Sequence, residues 1–241
     1  MCRTAGAQCA NGRRPIPSTD ELISRQTAFF SQTTIDGPSV QVALSQARIV
    51  LVGGGAVADH TAGALAASGM KSASVQAAQF RADSTEADCV LVCTDSPASG
   101  LFDAVNSAAL QRGWPWIAGR IESGAGLIGP AVIPHQTACY RCFELRRRAN
   151  LARPDRGQAG SATGGNDAAA PSAMAAAVGG LLVLETMRLI SRLALPQTMG
   201  AVLRLDFFAS GISLHRVLRL PNCPDCGYGR RRLPEVPTHG M

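Results

Sequence analysis

Lysine is almost missing from this chain. Of the 23 basic residues in 241, Lys71 alone is not an arginine. Aromatic residues make up 5% and charged residues 17%. The basic residues have no aromatics interleaved with them, so nucleic acid is not expected as a partner. Long apolar runs are missing too. The longest, 173–184, ends at Glu185. It is too short to span a bilayer, which takes about 20 residues, so a buried helix and no membrane are expected. Residues 1–14 hold no apolar core of the kind a secretory signal needs. Eight cysteines could suggest a disulfide framework, but four are paired in two short motifs, and Cys89 and Cys93 lie in an apolar stretch. A reducing, cytoplasmic setting fits that usage better.

What is present is a chain that is 46% hydrophobic, with 25 glycines and a net charge of +6. That suffices for a sizeable core in one domain with appendages. Arginines cluster at 146–148 and 230–232. Each run reads first as solvated surface, and next as a docking site for an acidic peptide or protein.

Two motifs organise the rest. Cys139-Tyr-Arg-Cys142 and Cys223-Pro-Asp-Cys226 are Cys-x-x-Cys knuckles, separated by a long stretch of chain. The two residues inside each pair allow a tight turn in which both sulfurs reach one ion. Four thiolates fill the tetrahedral shell of zinc and leave no position for water or substrate. Cys139, Cys142, Cys223 and Cys226 are therefore the expected ligands of a structural zinc that clamps distant parts of the chain. Four unrelated buried thiols, or two redox pairs, are the alternatives.

Along the chain, residues 1–17 read as a flexible leader. Ser18-Thr19-Asp20-Glu21 is a helix start, with Leu22, Gln26 and Phe29-Phe30 on one face. Asp36-Gly37-Pro38 breaks that helix and Ser39–Gln46 forms a second. Arg48-Ile-Val-Leu-Val52 is an unbroken β-branched run, the pattern of a strand buried on both faces of a parallel sheet. Gly53-Gly54-Gly55 and an alanine-rich helix over 57–68 follow, the opening of a Rossmann-type unit. The second strand, 72–77, ends in Gln79-Phe80-Arg81 with no acid to grip a ribose. Residues 88–93 form the third strand and deliver Asp95 to its carboxyl end. There it would orient magnesium or phosphate, or cap the helix that begins near Pro97. A helix over 98–112 and a strand over 116–119 come next. Residues 124–130 form a loop or hairpin, and an apolar strand at 131–134 leads to the first knuckle. Trp114 and Trp116 read as core or interface anchors. Residues 150–170 lack an apolar stripe and read as a mobile crossover loop. A long apolar helix from Pro171 to about 193 and two strands, 201–207 and 212–220, complete the chain.

Taken together, these residues resemble the ubiquitin-activating, ThiF-like superfamily over about 24–227. The likeness rests on Arg25-Gln26, Ile49-Val-Leu-Val-Gly-Gly-Gly55, Cys93-Thr-Asp-Ser96, Gly129-Pro130 and the two knuckles. It implies an α/β, Rossmann-like ThiF-type fold with a mostly parallel sheet and a structural zinc site of four cysteines. In adenylating members the glycine turn (Gly53 and Gly55 here) and an aspartate like Asp95 serve ATP and magnesium. Arginines and a lysine hold the phosphates. This chain departs from that pattern. The stretch between Gly69 and Cys89 is too short for the acid-ended strand, arginine-bearing loop and lysine-bearing helix of those enzymes. Lys71 precedes the second strand, on the wrong side, and nothing places Arg81 or Arg120 as substitutes. Gly53, Gly55 and Asp95 are thus expected to be a vestigial nucleotide turn, with ATP binding in doubt.

The closer resemblance is to the degenerate ThiF-like component that partners YcaO proteins in azoline-forming cyclodehydratases. It implies a non-catalytic scaffold that presents a precursor peptide for thiazole and oxazole formation in bacteriocin-type ribosomal peptide (RiPP) biosynthesis. An ATP-dependent adenylating enzyme acting on a peptide or sulfur-carrier terminus is the alternative, followed by a Rossmann-type redox or other zinc-scaffold protein. The expected layout is a leader at 1–17, a helical segment at 18–47 too short for a full peptide clamp, a ThiF-like domain at 48–228 and a basic tail at 229–241. The leader peptide would be bound partly here or through another subunit, and a homodimer is compatible with the reading.

Overall fold

The computed structural model describes residues 17–32, 36–82, 86–95, 99–151, 171–209 and 211–227. Nearly all of the expected leader, crossover loop and basic tail lies outside them. Statements below concern the described residues.

Helix α1 (Thr19–Ser31) starts where its capping residues require: the Ser18 hydroxyl accepts from the Glu21 amide at 3.2 Å. Helix α2 (Gly37–Gln46) carries Pro38 in its first turn, where the missing N–H costs nothing. Gln26 and Gln41 each donate to the Ser68 carbonyl at 3.1 Å, which ties both helices to the end of α3 (Ala56–Ala67). Phe30 is buried in this junction, but Phe29 is 61% exposed. The expected pairing of the two rings on one inward face therefore fails. Consecutive residues on a helix point in widely different directions, and α1 has only one apolar surface to face.

The sheet has seven strands in the order β2-β1-β3-β4-β5-β6-β7. They are β1 (Ile49–Gly53), β2 (Ser72–Val75), β3 (Cys89–Thr94), β4 (Trp116–Glu122), β5 (Ala125–Val132), β6 (Ala201–Asp206) and β7 (Gly211–Arg216). Strands β2, β1, β3 and β4 run parallel, and the last three pairings are antiparallel. Strands β1 and β3 are buried on both faces, as their continuous β-branched runs demand.

One face packs against α1, α2, α3 and α6 (Ser172–Ser191). The other carries α4 (Ser99–Arg112), α5 (Tyr140–Leu151) and the four knuckle cysteines. Helix α6 is long and apolar enough to cross a membrane by length and composition alone. Here it lies across β4 and β5 beside α3, with Val178, Leu182 and Val183 in the core. Its Glu185 is buried and accepts from the Thr198 amide and hydroxyl, both at 2.7 Å.

Of the two readings of residues 124–130, the hairpin holds: β5 takes in 125–130 and pairs with β4, the chain turning at Ser123-Gly124. Two glycines of the hairpin make room for α6: a β-carbon on Gly119 of β4 would overlap Leu182, and one on Gly126 of β5 would overlap Val178. Small residues in a strand commonly mark such an approach.

Candidate functional site

Two places in this fold carry chemistry: the glycine turn after β1 and the cysteine cluster under α4.

At the turn, Gly53 and Gly55 have φ of +122° and +90°, conformations that side chains disfavour. The Gly54 amide donates to the Cys93 carbonyl at 3.2 Å, which locks the turn to the end of β3. The strand register then brings Asp95 against the start of α3. Its two carboxylate oxygens accept from the Ala56 amide at 2.7 Å and the Val57 amide at 2.9 Å. A β-carbon on Gly55 would overlap this carboxylate. Asp95 therefore caps α3, a helix well before it in the chain; the start of the helix expected near Pro97 lies outside the described residues. Helix N-termini offer unpaired N–H groups and partial positive charge to anions. In this turn the chain's own carboxylate takes them.

Strand β2 ends at Val75, two residues earlier than expected, so Gln76 follows it, with its amide beside Gly54. A neutral side chain thus stands where an acid would grip a ribose. Gln76 could have been picked out as the first residue past the strand, had the end of that strand been legible. Lys71 precedes Ser72, which pairs with Ile49 at the start of β1. At about 3.3 Å per residue, its backbone is set back roughly 17 Å along the strands from Gly53, at their opposite end. Arg81 donates to the Ala78 and Phe80 carbonyls beside it. Arg120 sits opposite Thr94, in the neighbourhood of the turn, yet only 1% of it is exposed. Its guanidinium lies 5.3 Å from the Phe102 ring centre and 5.5 Å from that of Phe143, and it bonds Glu122 at 3.2 Å. Arg147 joins the same group, with Glu122 at 2.9 Å and Glu144 at 2.8 Å. Both arginines are structural.

Trp114 and Trp116 are also internal, 7% and 0% exposed, and Trp116 packs near Phe102 and Tyr140. They are core residues and offer no interface. Cys89 and Cys93 are fully buried on β3, and burial pushes both thiols up to about 12. They stay protonated at neutral pH and are poor nucleophiles.

The knuckles behave differently. Cys139 lies just before α5 and Cys142 in its first turn, while Cys223 and Cys226 come from the turn after β7. The four sulfurs lie within 4.8 Å of one another and all four residues are buried. Cys139 is 3.8 Å from Cys142 and 3.6 Å from Cys223, and Cys142 is 3.5 Å from Cys226. None is near the roughly 2.05 Å of a disulfide. The Leu220 amide donates to Cys142 at 3.4 Å. Hydrogen bonding from Cys139 chiefly pulls the Cys142 thiol down to about 5. This cluster could hold a metal ion. Asn106, which the sequence did not single out, sits beside it. Its side chain accepts from the Tyr140 amide and donates to Asp225, both at 2.9 Å.

No curated protein matches the chain significantly. Among solved structures, E. coli MccB is similar at a TM-score of 0.69 and 16% identity, over 91% of this chain and 75% of that one. A structure of the microcin C7 biosynthetic enzyme MccB with N-formylated MccA gives 0.68 at 16% identity, over 88% and 77%. A heterocyclase in complex with substrate and cofactor gives 0.68 at 20% identity, over 88% of this chain but only 29% of that one. At these identities the likeness is one of fold. The model of the ThiF family matches residues 71–226, well over half of the sequence and inclusive of both knuckles, and the chain belongs to that family.

Proposed function

We propose that this chain is a non-adenylating ThiF-like partner of a YcaO-type cyclodehydratase. It would supply architecture and peptide presentation during azoline formation in a ribosomal peptide, within the cytoplasm. The observation that carries this reading is the Asp95 carboxylate on the Ala56 and Val57 amides. An anion-binding turn that is filled by its own chain, with Gln76 beside it and Arg120 held in the core, offers little of the positive charge that phosphates need among the described residues. The similarity to a much longer heterocyclase is consistent with a fold that works inside a larger assembly.

Cys139, Cys142, Cys223 and Cys226 would hold a structural zinc. A tetrahedral ion with Zn–S bonds of about 2.3 Å sets sulfurs roughly 3.8 Å apart, close to the 3.5–3.8 Å of three of the pairs, with all four within 4.8 Å. Bound there, zinc would join two segments and supply no open coordination position.

The alternative is ATP-dependent adenylation of a peptide terminus. It is favoured by the similarity to MccB, which has been solved with ATP and with MccA. Two assays separate the readings. ATP-dependent loss of water from the cognate peptide is measured with the YcaO protein alone, this chain alone and both. Pyrophosphate exchange is measured on this chain with candidate peptides. The expected result is cyclisation only by the mixture, co-elution of the two proteins and background exchange. Equal cyclisation without this chain, together with no co-elution, would remove the scaffold role.

A further inference from the structure

We infer that Asn106 is a positioning residue of the thiolate cluster, the side chain through which α4 holds both knuckles in register. This rests on the reading of the four cysteines as a metal site.

Each knuckle alone is a short turn, and a long stretch of chain lies between them. Besides the ion, a side chain that bonds to both knuckles would hold them together. Asn106 lies on the inward face of α4 among Phe102, Val105 and Ala109, and it is fully buried. Its two polar ends go to different knuckles. The carbonyl oxygen accepts from the backbone amide of Tyr140, which directly follows Cys139. The amide nitrogen donates to Asp225, which directly precedes Cys226. The orientation of the side chain is forced, because the Tyr140 N–H can only donate and the carboxylate can only accept. No other residue type of this size offers one donor and one acceptor pointing opposite ways. Aspartate would keep the Tyr140 bond but face Asp225 with a second carboxylate. Leucine would fill the volume and lose both bonds. Groups that orient metal ligands without touching the ion typically change affinity or activity by about 10- to 100-fold when removed.

The test uses the full chain loaded with cobalt(II), whose thiolate charge-transfer band reports the site directly. Release to an excess of chelator is timed well below the melting temperature. Asn106→Asp should release cobalt about ten times faster than wild type. Asp225→Asn should be faster by a smaller factor, because its amide can still meet Asn106. The exchange Asn106→Asp with Asp225→Asn rebuilds a donor–acceptor pair and should return release to within about twofold of wild type. A residue that only supports the fold would lower the melting temperature without altering release at low temperature, and would not be rescued by the exchange. Unchanged release in Asn106→Asp, or no recovery in the exchange, overturns the inference while leaving the metal site standing. If wild type develops no cobalt–thiolate band, the metal site itself falls, and this inference with it.

Discussion

Replacing Asp95 by alanine tests the chemistry of the glycine turn most directly. The substitution removes two charge-assisted bonds to the amides of Ala56 and Val57. Bonds to charged groups contribute about 1.5–3 kcal/mol each when both partners are shielded, and loss of a helix cap costs about 0.5–2 kcal/mol. The site is only partly buried, so water can reach the freed amides. A combined loss of about 2–3 kcal/mol is therefore expected. For a chain of this size each kcal/mol lowers Tm by roughly 2–4 °C, so melting should fall by about 4–12 °C. Asp95→Asn keeps one acceptor, and should lose about half as much. Melting is followed by circular dichroism, and pyrophosphate exchange is run on the same preparations. If Asp95 is a cap, exchange stays at background in all three proteins while melting falls in order. A wild-type protein with robust exchange that vanishes in Asp95→Ala, at nearly unchanged melting, would refute the reasoning. The aspartate would then be serving a nucleotide.

Further predictions concern the metal and the charge network. Structural zinc contributes on the order of 10 kcal/mol, as much as the whole stability of many domains, so Cys223→Ser should be insoluble or unfolded, and metal analysis of the wild type should find one zinc per chain. A zinc-free chain with ordinary melting would contradict this. Burial alone would raise the Glu144 carboxyl, but bonds from Arg147 and Arg148 outweigh it and hold the group below its usual 4.5. Its stabilising contribution is therefore complete above about 4.5 and is lost as pH falls through the lower, folded-state value. Glu144→Gln should cost about 2 kcal/mol at neutral pH, Arg147 keeping Glu122 as a partner. The gap from wild type should close as denaturant titrations move to acid pH.

The legible parts of the fold were those with a strong local pattern. Residues 49–52 and 89–93 announce doubly buried strands by their unbroken apolar runs, and the spacing of the four cysteines announces the cluster before any coordinates. The β4–β5 hairpin was harder, because Gly124, Gly126 and Gly129 look like loop residues. In the assembled fold Gly126 makes room for Val178 on α6, Gly129 meets Thr198 at a positive φ, and Gly124 is the turn itself. Asp95 reads from the sequence as a cap or ligand, but its bonds to α3 are not legible there, because only strand register brings it to a helix earlier in the chain. Asn106 and Glu185 carried no signal at all. Each is a buried polar residue whose partners lie elsewhere in the chain, on two knuckles for Asn106 and at Thr198 for Glu185, so only the assembled fold reveals its purpose. Trp114 and Trp116 were open to two readings from their type alone, and burial decides for the core.

The two sites stand in different relations to the core, and this bears on how one could be lost while the other persisted. The cysteines are part of the same apolar cluster as Phe102, Trp116 and Tyr140. Disturbing them would disturb α4, α5 and the antiparallel half of the sheet together. The glycine turn lies at the end of two strands that are already fixed by their own packing. Its catalytic furniture in an adenylating enzyme would be surface charge, which a fold can shed without losing stability. Arg120 shows the next step. Strand β4 still places an arginine across from Thr94, near the turn, but Phe102, Phe143 and Glu122 hold its guanidinium inside. Pulling it out towards a phosphate would uncover the aromatic surface it covers and give up its bond to Glu122, which would keep only Arg147. A cation committed to the core in this way joins β4 to the aromatic cluster under α4 and α5 rather than facing the turn.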